Sequence, residues 1–228
     1  MRFLTLARLV LPLARAFVAV FAAGAVLSTG QAWDRDRMAQ AAERLGPQAV
    51  QGVQALQATL ERGAQLDERA RLDLVNQFFN RRILSGTDID VWGQNDYWAS
   101  PLETLAKGAG DCEDYAIGKY FSLMATGVPG ARLRLVYVRV QIGGPGGIVQ
   151  AHMVLAYYAV PDAEPVILDN LITEVRPASR RPDLTPIFSF NAEGLWQGVG
   201  GGAPGGDAGA RLSRWREVLA KARTEGFL

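Results

Sequence analysis

Residues 112–142, "CEDYAIGKYFSLMATGVPGARLRLVYVRVQI", change their hydrophobic period part-way along. Tyr115, Ala116, Tyr120, Leu123 and Met124 recur at helical spacing until Gly127-Val128-Pro129 stops them, which predicts a helix beginning at Cys112. From Arg132 onward apolar and polar residues alternate, as they do in a strand with one covered face. Toward the C-terminus two more β-branched and aromatic runs follow, "AHMVLAYYAV" (151–160) and "PVILDNL" (165–171), set apart by "GGPGG" (143–147) and "PDAEP" (161–165). That punctuation predicts an antiparallel meander. Toward the N-terminus the period is helical throughout residues 34–46, 47–63 and 66–84, with Leu72, Val75, Phe78, Phe79 and Ile83 on one face of the third segment. "SGTDIDVWGQNDYWASP" (85–101) reads as a loop and "LETLAKGAG" (102–110) as a short helix stopped by glycine. Helices first and strands after predict an α+β fold, with the cysteine helix packed on an antiparallel sheet.

The chain has 228 residues, 49% of them hydrophobic, which is enough for one sizeable core. Its formal charge of +1 arises from acids and bases spread along the sequence, without the basic stripe that phosphate binding requires, so nucleic acid is not an expected partner. Residues 1–32 differ in kind. Arg2, Arg8 and Arg15 precede "AFVAVFAAGAVL" (16–27) and the small, polar "STGQA" (28–32), the order of regions in a secretory signal peptide cut near Ala32. Counting "LVLPL" (9–13) as well would make an uncleaved anchor. The expected division is thus a leader over 1–32, a domain over 33–195, and a glycine-rich segment with a terminal helix over 196–228. In the extracytoplasmic space that the leader implies, the single cysteine has no partner for an internal disulfide, and a free thiol there needs burial or a task.

Cys112 begins a helix, the only histidine, His152, begins a strand, and Asp169 closes the next strand. In thiol catalysis a histidine takes or shares the thiol proton and an aspartate fixes the imidazole's tautomer. The helix N-terminus adds a positive partial charge. Two plainer readings stand beside this one: a small buried hydrophobe for Cys112, and a core imidazole satisfied by one hydrogen bond for His152. The acids Asp111, Glu113 and Asp114 crowd the cysteine. They suit either a helix cap and first turn or a hard cation such as calcium, which takes six to eight oxygen ligands, with Asp96 a further candidate ligand. A zinc hydrolase lacks ligands, because one His and one Cys give no zinc spacing.

"DYWASPLETLAKGAGDCEDYAIGKYFSL" (96–123), "AHMVL" (151–155) and "ILDNL" (167–171), with "FFN" (78–80) before them and "FSFN" (188–191) after them, resemble the bacterial transglutaminase-like cysteine proteinases, and among them the LapG type of periplasmic protease. The resemblance covers most of residues 34–195. It implies a papain- or transglutaminase-like fold with Cys112 as nucleophile, His152 as general base and Asp169 as orienting acid. It implies calcium held by Asp111 and Glu113, with Asp114 beside them. It also implies a substrate, the N-terminal region of a large repeat adhesin whose release disperses a biofilm. The implied regulator is a LapD-like inner-membrane receptor that responds to cyclic-di-GMP on its cytoplasmic side, the protease itself having no cyclic-di-GMP site. Acyl transfer of the transglutaminase kind uses the same triad, and a non-catalytic binding module is the reading from a different class.

Overall fold

The computed structural model describes residues 33–200, 205–206 and 208–228, so the leader expected over 1–32 lies outside the described residues. Helices α1 (Arg35–Leu45), α2 (Pro47–Ala64) and α3 (Glu68–Arg82) come first, as the periodicity predicts. Side-chain caps start α1 and α3, where Asp34 accepts from Arg37 N–H at 3.0 Å and Asp67 from Ala70 N–H at 2.8 Å. The stretch expected as loop holds more order than its composition suggests. It contains β1 (Leu84–Ser85) and the one-turn helix α4 (Asp88–Trp92), capped by Thr87. Helix α5 (Pro101–Lys107) has Pro101 in its first turn and a full capping box, Ser100 Oγ accepting from Glu103 N–H at 3.1 Å and Glu103 Oε2 from Ser100 N–H at 2.8 Å. Strand β2 (Ala109–Gly110) pairs with β1 in parallel, and this small ladder ties the end of α3 to the start of α6 (Cys112–Ala125).

Helix α6 is the centre of the molecule. Residues 114–123 are buried on every side, by α3, α2 and α5 on one side and by the sheet on the other. A helix covered all round must admit its neighbours closely, and Gly118 lets the Phe79 ring of α3 rest on the α6 backbone, where a Cβ would overlap the ring. Gly118→Ala is therefore expected to lower stability by about 1–3 kcal/mol despite alanine's better helix propensity. A denaturant melt checks this.

The sheet follows the order β6 (Arg176–Pro177), β5 (Val166–Leu168), β4 (Ile148–Tyr157), β3 (Leu133–Ile142), β7 (Leu184–Phe190), β8 (Leu195–Gln197), with every neighbouring pair antiparallel. The central hairpin β3–β4 turns at 143–147, and its register runs from Leu133↔Tyr157 to Ile142↔Ile148. Alternation divides its two faces. Leu133, Leu135, Met153 and Leu155 join the main core beneath α6, while Val136, Val138, Val154, Ala156, Tyr158 and Ile167 form a smaller apolar cluster on the reverse face. Strand β4 begins three residues earlier than its hydrophobic run suggests. Its first four residues are exposed because β5 covers only Leu155–Tyr157. After the glycine-rich stretch come α7 (Ala208–Arg211) and α8 (Ser213–Thr224). Trp215 of α8 is wholly buried against Tyr120, Phe121 and Phe190, with its indole N–H donating to Asn191 O at 3.1 Å, so the terminal helix belongs to the same core.

Candidate active site

Cys112 is the first residue of α6, and its cap is Asp111, whose Oδ1 accepts from Glu113 N–H at 3.1 Å and Asp114 N–H at 3.3 Å. The thiol is half-buried and free. Its sulfur meets polar atoms: it donates to Glu113 Oε2 at 2.8 Å and accepts from the backbone N–H of Met153. That amide is free to do so because β5 stops short of it. Burial pushes the thiol's pKa up, and the carboxylates of Glu113 and Asp111 push the same way, with the Met153 amide opposing them. Tyr137 and Phe188 stack nearby at 5.2 Å, and the tyrosine hydroxyl is raised by burial first and then by Glu113 and Cys112.

The peptide that offers its N–H to sulfur is the one that follows His152. Continuing the β4–β5 register beyond Leu155↔Leu168 sets Asp169 opposite Val154, so that His152 is its diagonal neighbour across adjacent strands. The imidazole reaches it, with Nε2 at 2.8 Å from Asp169 Oδ1, and both side chains are buried. The sequence expectation that adjacent strands bring His152 and Asp169 side by side is met. Cys112 lies against the peptide between His152 and Met153, while its thiol hydrogen bond goes to Glu113 and not to the ring.

Further groups surround Asp169. Leu171 N–H donates to Oδ1 at 3.1 Å, Arg181 Nη2 donates to Oδ2 at 2.8 Å, and Asn80 Nδ2 donates to its backbone carbonyl at 2.7 Å. Burial alone would raise the carboxyl, but the imidazole first, then Leu171 N–H and Arg181, outweigh it and hold the pKa at about 2. Lys119, two turns along α6 from Cys112, is buried too. Desolvation lowers its pKa to about 7 against the pull of Asp169. Sequence reading missed Arg181 and Lys119. A lysine inside an apolar helical pattern was a usable signal; nothing in "ASRRPD" (178–183) marks Arg181 over Arg180.

The acids form a site of their own. Carboxylate oxygens of Asp88, Asp111 and Asp114 lie within 4.8 Å of one another. Asp114 is fixed by Ala99 N–H at 2.8 Å and the Trp92 indole at 3.1 Å. Gly110 leaves room for it, since a Cβ there would stand 2.6 Å from Asp114 Oδ2. Burial is the first cause that raises all three; the charges of Glu113 and Asp96 add to it at Asp88, and those of Glu113 and of the neighbouring aspartates add to it at Asp111 and Asp114, taking Asp111 to about 9 and Asp114 to about 7. Asp88 Oδ1 is buried with no hydrogen-bond partner. Three hard oxygen donors that repel one another, one of them orphaned, fit a hard cation. Of the acids read from sequence, Asp111 and Asp114 are in this cluster, and Asp88 joins them from the stretch expected as loop. Glu113 stands outside it on the thiol, and Asp96 pairs with Arg214 at 2.9 Å and accepts from Trp98 Nε1 at 3.2 Å. Both still act on Asp88 through their charge. The aromatics Trp92 and Tyr97 stack on each other at 4.7 Å, and Trp98 stacks on Phe190 at 5.7 Å.

The sequence profile of the family described as bacterial transglutaminase-like cysteine proteinase matches residues 50–183, a span that holds the cysteine, the histidine and both aspartate sites. The chain belongs to that family. Among solved structures, this transglutaminase-like cysteine proteinase is similar to calcium-bound LapG of Legionella pneumophila, with 36% identity, a TM-score of 0.71, and 82% of this chain and 98% of that chain covered. The EGTA-treated form of the same Legionella protein gives 36% identity, a TM-score of 0.71, and coverage of 82% and 97%. No curated protein matches this chain. The family settles the fold as transglutaminase-like and the activity class as cysteine protease.

Proposed function

We propose that this family member is an exported, calcium-dependent endopeptidase that cleaves the N-terminal region of a large surface adhesin, with Cys112, His152 and Asp169 as its triad. One observation carries the assignment: the single thiol, at a helix N-terminus, touches the peptide that follows the single histidine, whose ring is already held by a buried aspartate. With Nε2 facing Asp169, Nδ1 is the nitrogen left to take the thiol proton. The S–H bond breaks as N–H forms, and the imidazolium is stabilised by Asp169. The Cys112 backbone N–H, at the positive end of α6, is available to the oxyanion that follows attack on a peptide carbonyl.

Asp88, Asp111 and Asp114 would hold the calcium, in keeping with the calcium-bound form of the Legionella protein. When bound, the ion supplies positive charge that offsets the acids around the nucleophile. Release of the adhesin disperses the biofilm, and a LapD-like membrane receptor restrains the protease by docking near the cleft on the surface around residues 90–98. Among the described residues no helix is long and apolar enough to cross a membrane, and the periplasmic setting rests on the leader.

Purified protein with calcium is expected to cut the N-terminal fragment of a repeat adhesin from the same genome at one place, read by mass spectrometry. Linking of an amine to a glutamine side chain, without hydrolysis, would replace this reading with acyl transfer. Substitutions at exposed Ile89 or Gln94 are expected to weaken capture by the receptor's periplasmic domain at least tenfold with cleavage retained, as for loss of an interface anchor. A pull-down titration measures it.

A further inference from the structure

Resting on the assignment of His152 and Asp169 to the triad, we propose that Arg181 is a positioning residue that fixes the charge and aim of Asp169 and thereby the tautomer of His152. The side chains of His152, Asp169 and Arg181 are each no more than 2% exposed, and they form one hydrogen-bonded line. Asp169 has both oxygens committed: Oδ1 to His152 Nε2 and Leu171 N–H, Oδ2 to Arg181 Nη2 at 2.8 Å. Arg181 is itself aimed. Its Nε and Nη2 meet the two oxygens of Asp183 at 3.0 and 2.7 Å, the two-pronged geometry a guanidinium prefers.

The hydrogen bonds permit one protonation pattern. Arginine and a backbone N–H can only donate, so Asp169 must accept on both oxygens, which an ionised carboxylate does and a protonated one does poorly. An acceptor-only Asp169 requires the imidazole to carry its proton on Nε2, leaving the Nδ1 lone pair to receive the thiol proton. Without Arg181, Asp169 would be a buried carboxylate with an empty second oxygen, free to rotate or to hold a proton itself. The other charged groups that face this line are Lys119 from α6, beside Asp169, and Asp183, beside Arg181. Lys119 acts on Asp169 through its charge; the directional contact to Oδ2 comes from Arg181.

The chain holds one histidine, so a single set of imidazole nitrogen signals reports the site. In ¹⁵N-histidine-labelled Cys112→Ala protein, where no thiol couples to the ring, the parent should show the Nε2–H tautomer alone. Arg181→Met should populate both tautomers, because Asp169 is then free to turn or to hold a proton that it donates to the ring. Simple removal of a nearby cation, with Asp169 still ionised and aimed, leaves the Nε2–H tautomer alone, so the tautomer ratio separates positioning from plain electrostatics. Arg181→Gln, of similar reach and without charge, carries the test if Arg181→Met fails to fold, and Arg181→Lys should restore most of the tautomer order. In proteins that retain Cys112, the Met and Gln changes should cut kcat about tenfold to a hundredfold with KM nearly unchanged. An Nδ1–H tautomer in the parent overturns the proposal, as does a folded Arg181→Met or Arg181→Gln variant whose ring keeps the Nε2–H tautomer alone. The spectra come from a protein that cuts nothing, so they stand whether or not the adhesin proves to be the substrate.

Discussion

Cys112→Ala and His152→Ala are each expected to abolish cleavage of the adhesin fragment, by a factor on the order of 10⁶, because nucleophile and base act as one unit and neither works alone. Asp169→Asn should cost about 10⁴-fold by admitting the wrong tautomer while the backbone stays in place. The chain's one cysteine gives a second measurement that needs no substrate. Cys112 is the one thiol open to iodoacetamide, and its alkylation rate at neutral pH should fall steeply in His152→Ala, since burial and the neighbouring carboxylates leave the thiol protonated unless the imidazole takes its proton. The present hydrogen bond from Sγ to Glu113 must give way for that transfer. Glu113→Gln removes the negative acceptor and is expected to speed alkylation in metal-free protein. Full cleavage by Cys112→Ala protein would sink the protease reading.

Where the hydrophobic period was long, the chain could be read. The switch from helix to alternation within residues 112–142 predicts α6 and β3, and glycine and proline on either side of 151–160 separate β4 from its neighbours. Short elements escaped, because two-residue strands and a one-turn helix carry less pattern than their turn-forming residues obscure. β1, α4 and β2 were lost in this way, and Asp88 went unrecognised with them. In sequence Asp88 and Asp90 look alike. The first turn of α4 separates them, sending Asp90 outward to the Thr87 hydroxyl at 2.7 Å and Asp88 inward to the acid cluster. Cys112 and Asp169 could be picked out because they stand at the start of α6 and just past the end of β5, and His152 because it is the chain's one histidine, although β4 begins at Ile148 and sets it within the strand and not at its start. Arg181 was not, because its bond to Asp169 joins residues 12 apart in the chain and no local period points there.

The cluster of Asp88, Asp111 and Asp114 ties activity, calcium and pH together with opposite signs for the two forms of the protein. Without metal these acids hold protons in the folded state that they lose when unfolded, since burial and mutual repulsion raise Asp111 to about 9 and Asp114 to about 7. The folded state then binds more protons than the unfolded one from about pH 4 upward, so chelated protein should lose melting temperature as pH rises toward 9. Calcium requires the carboxylates ionised, so the rise in melting temperature that it produces should grow over the same range. Chelation should stop proteolysis and excess calcium should restore it. Magnesium should restore little, because it demands a tight octahedral shell and keeps its waters. Asp88→Asn and Asp111→Asn should each lower calcium affinity at least tenfold by isothermal titration, whereas Asp96→Asn, whose partner is Arg214, should change it little. Were the acids only a helix cap, Asp111→Asn would keep its activity, Asp88→Asn would be silent, and melting would ignore calcium at every pH. Protease that stays fully active after exhaustive chelation would exclude an obligatory ion. A calcium response that survives Asp88→Asn unchanged would move the site to Glu113 and the thiol side of the helix.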